Sequence, residues 1–138
     1  PGPGLPEDAG DLKEVLKEFA SRKSILGICL GHQALGQFFS FKLLNINNVK
    51  HGEQSFLTEI DKKETLFQGL NEPIEVGHYH SWVIDETNNF KDWTITAKSD
   101  NLIMAISHNT LDLKGVQFHP ESVLTPLGKE MLENWIKS

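Results

Sequence analysis

The chain has 138 residues, 38% of them hydrophobic and 23% charged, with a formal net charge of −6. That length suits one domain with a single core, and an acidic balance with no Lys/Arg cluster argues against nucleic acid as a partner. No apolar run reaches membrane-spanning length, and a single cysteine excludes an internal disulfide framework, so the expected setting is the reducing cytoplasm, away from membranes.

Taken in order, Pro1-Gly2-Pro3-Gly4-Leu5-Pro6 reads as a loop between elements and a poor start for a domain, so a segment ahead of it is expected. Asp11 to Ala20 follows as a helix, with Leu12, Val15, Leu16 and Phe19 forming a stripe that should pack on a sheet. Ser24 to Ile28 is short and apolar, fitting a buried strand, and Leu30 to Phe41 continues as a helix with Leu35, Phe38 and Phe39 facing the core. From Leu43 the pattern turns to short extended pieces: one near Leu43 and Leu44, then Gln54 to Ile60, Ile74 to His80, Trp93 to Lys98, Leu102 to Ser107 and Lys114 to Phe118. The alternation in Trp93 to Ala97 and Leu102 to Ile106 predicts a hairpin through Ser99-Asp100-Asn101. Thr125 is expected to cap a closing helix, with Pro126 at its first position and Leu127, Met131, Leu132, Trp135 and Ile136 as its docking stripe. Helix, strand, turn and helix in that order imply an α/β fold with a parallel sheet.

The chemistry concentrates in two runs. Gly27-x-Cys29-x-Gly31 has the form of a nucleophile elbow with sulfur in place of oxygen: a strand, a sharp turn and a helix whose first N–H groups favour thiolate. A lone cysteine is more often a small buried hydrophobe, so the elbow needs a second signal. His119-Pro120-Glu121 supplies it, because Pro120 biases His119 toward extended geometry and residues two apart then share a side. Glu121 can therefore orient His119, whose other ring nitrogen takes a proton from the thiol, in the order Cys, His, Glu. The histidines at 32, 51, 78, 80, 108 and 119, with one thiol, lack paired ligand spacings, and no metal or cofactor is expected.

Pro1-Gly2-Pro3-Gly4, Gly27-Ile28-Cys29-Leu30-Gly31-His32-Gln33, His51-Gly52, Tyr79-His80-Ser81-Trp82 and Gly115-Val116-Gln117-Phe118-His119-Pro120-Glu121-Ser122 together resemble the class I glutamine amidotransferases, almost end to end. His51 to Ser55, Tyr79 to Trp82 and Val123-Leu124-Thr125-Pro126-x-Gly128 resemble most closely the small subunit of anthranilate synthase and of aminodeoxychorismate synthase. The resemblance implies a flavodoxin-like, largely parallel twisted sheet flanked by helices with an additional antiparallel strand region. It implies one amidotransferase domain over 1–138, lacking the family's N-terminal strands. It also implies that glutamine is hydrolysed to glutamate, with ammonia passed to a synthase large subunit, component I, that aminates chorismate.

On that pattern Cys29 attacks the amide, His119 shuttles the proton and Glu121 holds His119. The backbone N–H groups of Leu30 and Gly2 stabilise the oxyanion, and Gly4, Gln33, Tyr79, His80, Ser81 and Trp82 bind substrate, while His51 and Ser55 order a loop or cap a turn. A γ-glutamyl cysteine hydrolase and a catalytically impaired binding or regulatory homologue remain alternatives. The motifs do not separate the anthranilate from the aminodeoxychorismate pathway.

Overall fold

The computed structural model describes residues 1–138, the side chain of Asn48 apart. A 3₁₀ turn at Pro6–Asp8 leads into helix α1 (Leu12–Phe19), strand β1 (Ile25–Ile28) and helix α2 (Leu30–Phe38). Strand β2 (Leu43–Phe56) and a second 3₁₀ turn (Thr65–Phe67) precede strands β3 (Glu75–Ile84), β4 (Trp93–Ser99), β5 (Leu102–His108) and β6 (Leu113–Val116), and helix α3 (Gly128–Lys137) closes the chain.

One sheet has four strands in the order β1-β6-β5-β4, and β2 pairs with β3 in a second. The α/β class stands. Parallel pairing is confined to β1 with β6, while β5 meets β6 and β4 antiparallel, so the parallel share within the described residues is smaller than expected. β1 is the outer strand of its sheet, and Ile25, Leu26 and Ile28 are only partly buried where full burial was expected.

The β4–β5 hairpin forms as read from the alternation. Asp100 and Asn101 both hold positive φ, at 52° and 60°, which is the two-residue turn whose twist matches the flanking strands. The extended pieces around Leu43 and Gln54 are one strand. Its register breaks between Asn45 and Lys50 and again between His51 and Glu53, where Gly52 at φ 71° absorbs the extra residue. These bulges interrupt the alternation and make one strand look like two.

The four-stranded sheet separates two apolar clusters. One gathers Leu66, Phe67, Val76, Met104, Val116, Phe118 and Met131 beneath α3, and the other gathers Leu16, Ala34, Leu35, Ile84, Trp93, Ile106 and Leu113 beneath α1 and α2. Between the 3₁₀ turn and the sheet, the buried Glu64 carboxylate accepts from Lys114 Nζ at 2.7 Å, from Leu66 N–H at 3.1 Å and from the Ser107 hydroxyl, so its charge is paired and hydrogen-bonded.

Both amphipathic helices bury narrower stripes than expected. In α1 only Leu16 is buried, followed by Ala20 one turn on, while Val15 and Phe19 are exposed, and the Arg22 guanidinium lies over the Phe19 ring. In α3 Met131 is buried and Ile136 is exposed. Nor does Thr125 cap α3, which begins at Gly128 without a side-chain cap. The reason is steric and polar: a Cβ on Gly128 would lie 1.8 Å from the Pro120 carbonyl oxygen, and the Thr125 hydroxyl is occupied by His119.

Candidate active site

Cys29 stands between β1 and α2 at φ 50° and ψ −100°, a conformation that residues with a Cβ seldom hold. Its surroundings over-determine it. The Cys29 N–H donates to the Val116 carbonyl at 2.8 Å, and its own carbonyl accepts from Gln33 N–H at 3.0 Å. The first turn of α2 lies so close to β1 that a Cβ on Gly27 would sit 2.6 Å from the Gly31 carbonyl group. Gly31 itself has open space where a Cβ would point, so close approach requires only the first of the two elbow glycines.

The sulfur is buried, and burial pushes the thiol above its ordinary pKa. The Leu30 N–H and the Gln117 amide pull it down by less, and Glu121 pushes it up. The helix N-terminus was expected to favour thiolate; here desolvation outweighs it, so the sulfur rests as a thiol and needs a base.

His119, the base that the sequence reading expects, is held by a carboxylate at one ring nitrogen. Its Nδ1 lies 2.8 Å from Glu121 Oε1, and its Nε2 is buried with no hydrogen-bond partner among the described residues. Its backbone is held from both sides: the N–H donates to the Gly77 carbonyl at 3.1 Å, and the carbonyl accepts from Thr125 Oγ1 at 2.7 Å. That hydroxyl accepts in turn from Gly77 N–H at 2.9 Å, tying the base to β3. Tyr79 stands edge-on to the imidazole, with ring centroids 5.1 Å apart.

A cavity of about 360 Å³ opens beside the sulfur, lined by Gly2, Gly4, Cys29, Gln33, Tyr79 and His80 with Ser81 and Trp82. All the sequence-predicted binding residues except Leu30 line it, and Leu30 adjoins through its N–H at the sulfur. Gly4 holds φ 83°, and Gly2 lies against the Leu30 side chain, where a Cβ would be 3.1 Å from Cδ2. Gln33 donates to the Trp82 carbonyl at 2.8 Å and to Gln117 Oε1 at 3.3 Å, which leaves its own Oε1 as an acceptor for a ligand. A second cavity of similar size, beside Leu16, Ala34 and Phe38, is not lined by Cys29.

His80 is less exposed to a ligand than the sequence reading implies. It is buried, its Nε2 lies 3.2 Å from His78 Nδ1, and the chain of contacts continues from His78 Nε2 to Ser55 Oγ and on to Ser99 Oγ, each step 2.6 Å. Burial first, then the neighbouring His78, holds its pKa down to about 3, so it enters the cavity as a neutral group. Ser55 is thus a half-buried link rather than a turn cap, while the His51 ring stands edge-on to Tyr79. Among the described residues no group of three or more His, Cys, Asp or Glu side chains is placed to hold a metal ion.

Sequence reasoning passed over Gln117 as a site residue and gave Thr125 a different task. Gln117 shares an extended run with His119 at a spacing of two, which already places both side chains on one side. Thr125 carried no comparable signal, because its partners Gly77 and His119 lie on other parts of the chain.

An elbow cysteine lines a small cavity, and the Tyr79 ring that also lines it stands edge-on to a histidine held by a carboxylate. Residues 1–138 match the family model of glutamine amidotransferase class-I. The chain belongs to that family. Within it, the chain is of the anthranilate/aminodeoxychorismate synthase component 2 type. It is 42% identical over 139 residues to aminodeoxychorismate/anthranilate synthase component 2 of Bacillus subtilis, covering 100% of this chain and 71% of the relative. It is 42% identical over 137 residues to aminodeoxychorismate synthase component 2 of Escherichia coli, covering 99% and 72%. Among solved structures, a Thermoplasma acidophilum protein assigned as a GMP synthase subunit superposes with a TM-score of 0.82 at 25% identity, covering 97% of this chain and 68% of that one.

Proposed function

We propose that residues 1–138 form one glutaminase domain that hydrolyses glutamine through Cys29, His119 and Glu121. The ammonia passes to a component I partner that aminates chorismate. The observation that carries this reading is the buried Nε2 of His119, unpartnered among the described residues, whose other nitrogen is held by Glu121.

Nε2 takes the thiol proton as sulfur attacks the amide carbon, and Glu121 stabilises the imidazolium that forms. Charge builds on the amide oxygen, toward which the Leu30 N–H and, from the opening loop, the Gly2 N–H can donate. His119 returns the proton to the departing nitrogen, releasing ammonia and leaving a glutamyl thioester. Water then gives its proton to Nε2, its hydroxide attacks the thioester, and sulfur leaves with the proton as glutamate forms. The substrate's charged ends require polar partners, which Gln33 Oε1 and the polar groups of Tyr79, Ser81 and Trp82 supply.

The test is ammonia release from glutamine by the chain with and without component I. The expected result is turnover that Cys29→Ala abolishes. Turnover surviving that change, or absent even with the partner present, would overturn the reading, and faster release from γ-glutamyl peptides than from glutamine would move it to a peptide hydrolase. Anthranilate or aminodeoxychorismate as the product with the cognate partner identifies the pathway.

A further inference from the structure

One buried amide touches the sulfur and takes no part in the steps above. Gln117 follows β6, its N–H fixed on the Met104 carbonyl at 2.8 Å, and its side chain is fully buried. Its Nε2 lies 3.6 Å from Cys29 Sγ, and its Oε1 accepts from Gln33 Nε2 at 3.3 Å. An amide alone is indifferent to which end faces a sulfur. Gln33 decides it, because its NH₂ group, also donating to the Trp82 carbonyl, can meet only an acceptor, which turns the Gln117 NH₂ toward Sγ.

We propose that Gln117 is a further catalytic residue, a side-chain donor that stabilises the Cys29 thiolate and whose orientation is set through Gln33 from the substrate cavity. When the S–H proton passes to His119 Nε2, the electron pair stays on sulfur and the Gln117 N–H donates to it. On attack the charge moves to the amide oxygen and the contact weakens; when the thioester breaks down, charge returns to sulfur and the contact reforms before reprotonation. Gln117 exchanges no proton. A donor held in a dry site counts for more than one in water, and Cys29 is buried, with the Leu30 N–H as a second donor to its sulfur.

The inference rests on Cys29 being the nucleophile of the proposed glutaminase, so its test reads the sulfur directly. Cys29 is the sole cysteine, and one iodoacetamide adduct by intact mass reports its thiolate without ambiguity. Alkylation rates of the full chain are measured from pH 6 to 10 for wild type, Gln117→Glu, which keeps the acceptor for Gln33 and removes the donor, and Gln117→Met, which fills the site without polar atoms. Glutamine kcat and KM are measured with component I. Both variants are expected to slow alkylation about tenfold across the pH range below the thiol midpoint, equivalent to an upward shift of about one pH unit, Gln117→Glu more than Gln117→Met. The kcat is expected to fall by a similar factor while KM changes little.

Unfolding midpoints establish that each variant is folded, and Gln117→Asn, which keeps the amide but shortens its reach, is read if both are not. An unchanged alkylation profile in a folded variant overturns the proposal. Wild-type turnover with that unchanged profile removes this inference alone; a shifted profile with no glutamine turnover in any form removes the glutaminase reading while the Gln117 donor stands.

Discussion

At the scale of the residue, the backbone of Cys29 carries a cost that its neighbours sustain. A residue with a Cβ at φ 50° and ψ −100° is strained by about 1–3 kcal/mol, and glycine there is not. In ordinary positions glycine is less stable than alanine, since it loses more backbone entropy on folding. At Cys29 the order should reverse. Cys29→Gly is expected to be more stable than Cys29→Ala by about 1 kcal/mol, both being inactive, as read from urea unfolding midpoints. The usual order would mean that the elbow relaxes once sulfur is removed. The Gly-x-Cys-x-Gly spacing made the elbow legible, but it did not distinguish its glycines: Gly27 is pinned by Gly31 across the turn, and Gly31 faces open space.

At the scale of the element, three segments meet at His119, the base of the proposed reaction. β3 supplies Gly77, the turn after β6 supplies His119, and the approach to α3 supplies the Thr125 hydroxyl that joins them. Thr125→Val keeps the volume and removes the hydroxyl, leaving the Gly77 N–H and the His119 carbonyl without that partner. It is expected to cost about 2 kcal/mol or more in unfolding experiments and to lower glutamine kcat, whereas Thr125→Ser retains the bonds and most of both quantities. A valine variant with wild-type kcat would show that Glu121 alone suffices to position the base. The helix stripe was read correctly at Met131, but the start of α3 was not, because Gly128 must lie flush on Pro120 and no local signal reports that contact.

At the scale of the whole molecule, burial of neutral imidazoles links stability to pH. Burial holds His32 to about 3 against the smaller lift of a backbone hydrogen bond at Gly115, and burial with smaller charge effects holds His78 to about 4 and His80 to about 3, against 6.5 in an open chain. Above pH 6.5 these groups are neutral in both states and stability is insensitive to them. Below it the unfolded chain takes up protons that the folded chain refuses, so stability falls as pH drops from 6.5 toward 4, by up to ~1.4 kcal/mol per pH unit for each imidazole. Glu64 adds a loss of the same sign at lower pH: burial raises its pKa, but Lys114 and Ser107 outweigh that and hold it below the ordinary value. Urea midpoints at pH 7.5 and 5.5 should therefore differ clearly, the lower pH being less stable. A flat profile would mean that these imidazoles are open to solvent.

By itself the sequence determined the α/β class, the hairpin at Asp100-Asn101, the elbow at Cys29 and the pairing of His119 with Glu121. Each rests on residues close together in the chain, where periodicity, turn chemistry and a spacing of two suffice. Only the tertiary structure decided the burial of the thiol, the neutral burial of His80, the joining of the two extended pieces into one bulged β2, and the contacts of Gln117 and Thr125. Those depend on which groups long-range packing brings together and dehydrates: the amide of Gln117 reaches Cys29 across 88 positions of chain, and desolvation at that contact overrides the local preference of a helix N-terminus for a thiolate.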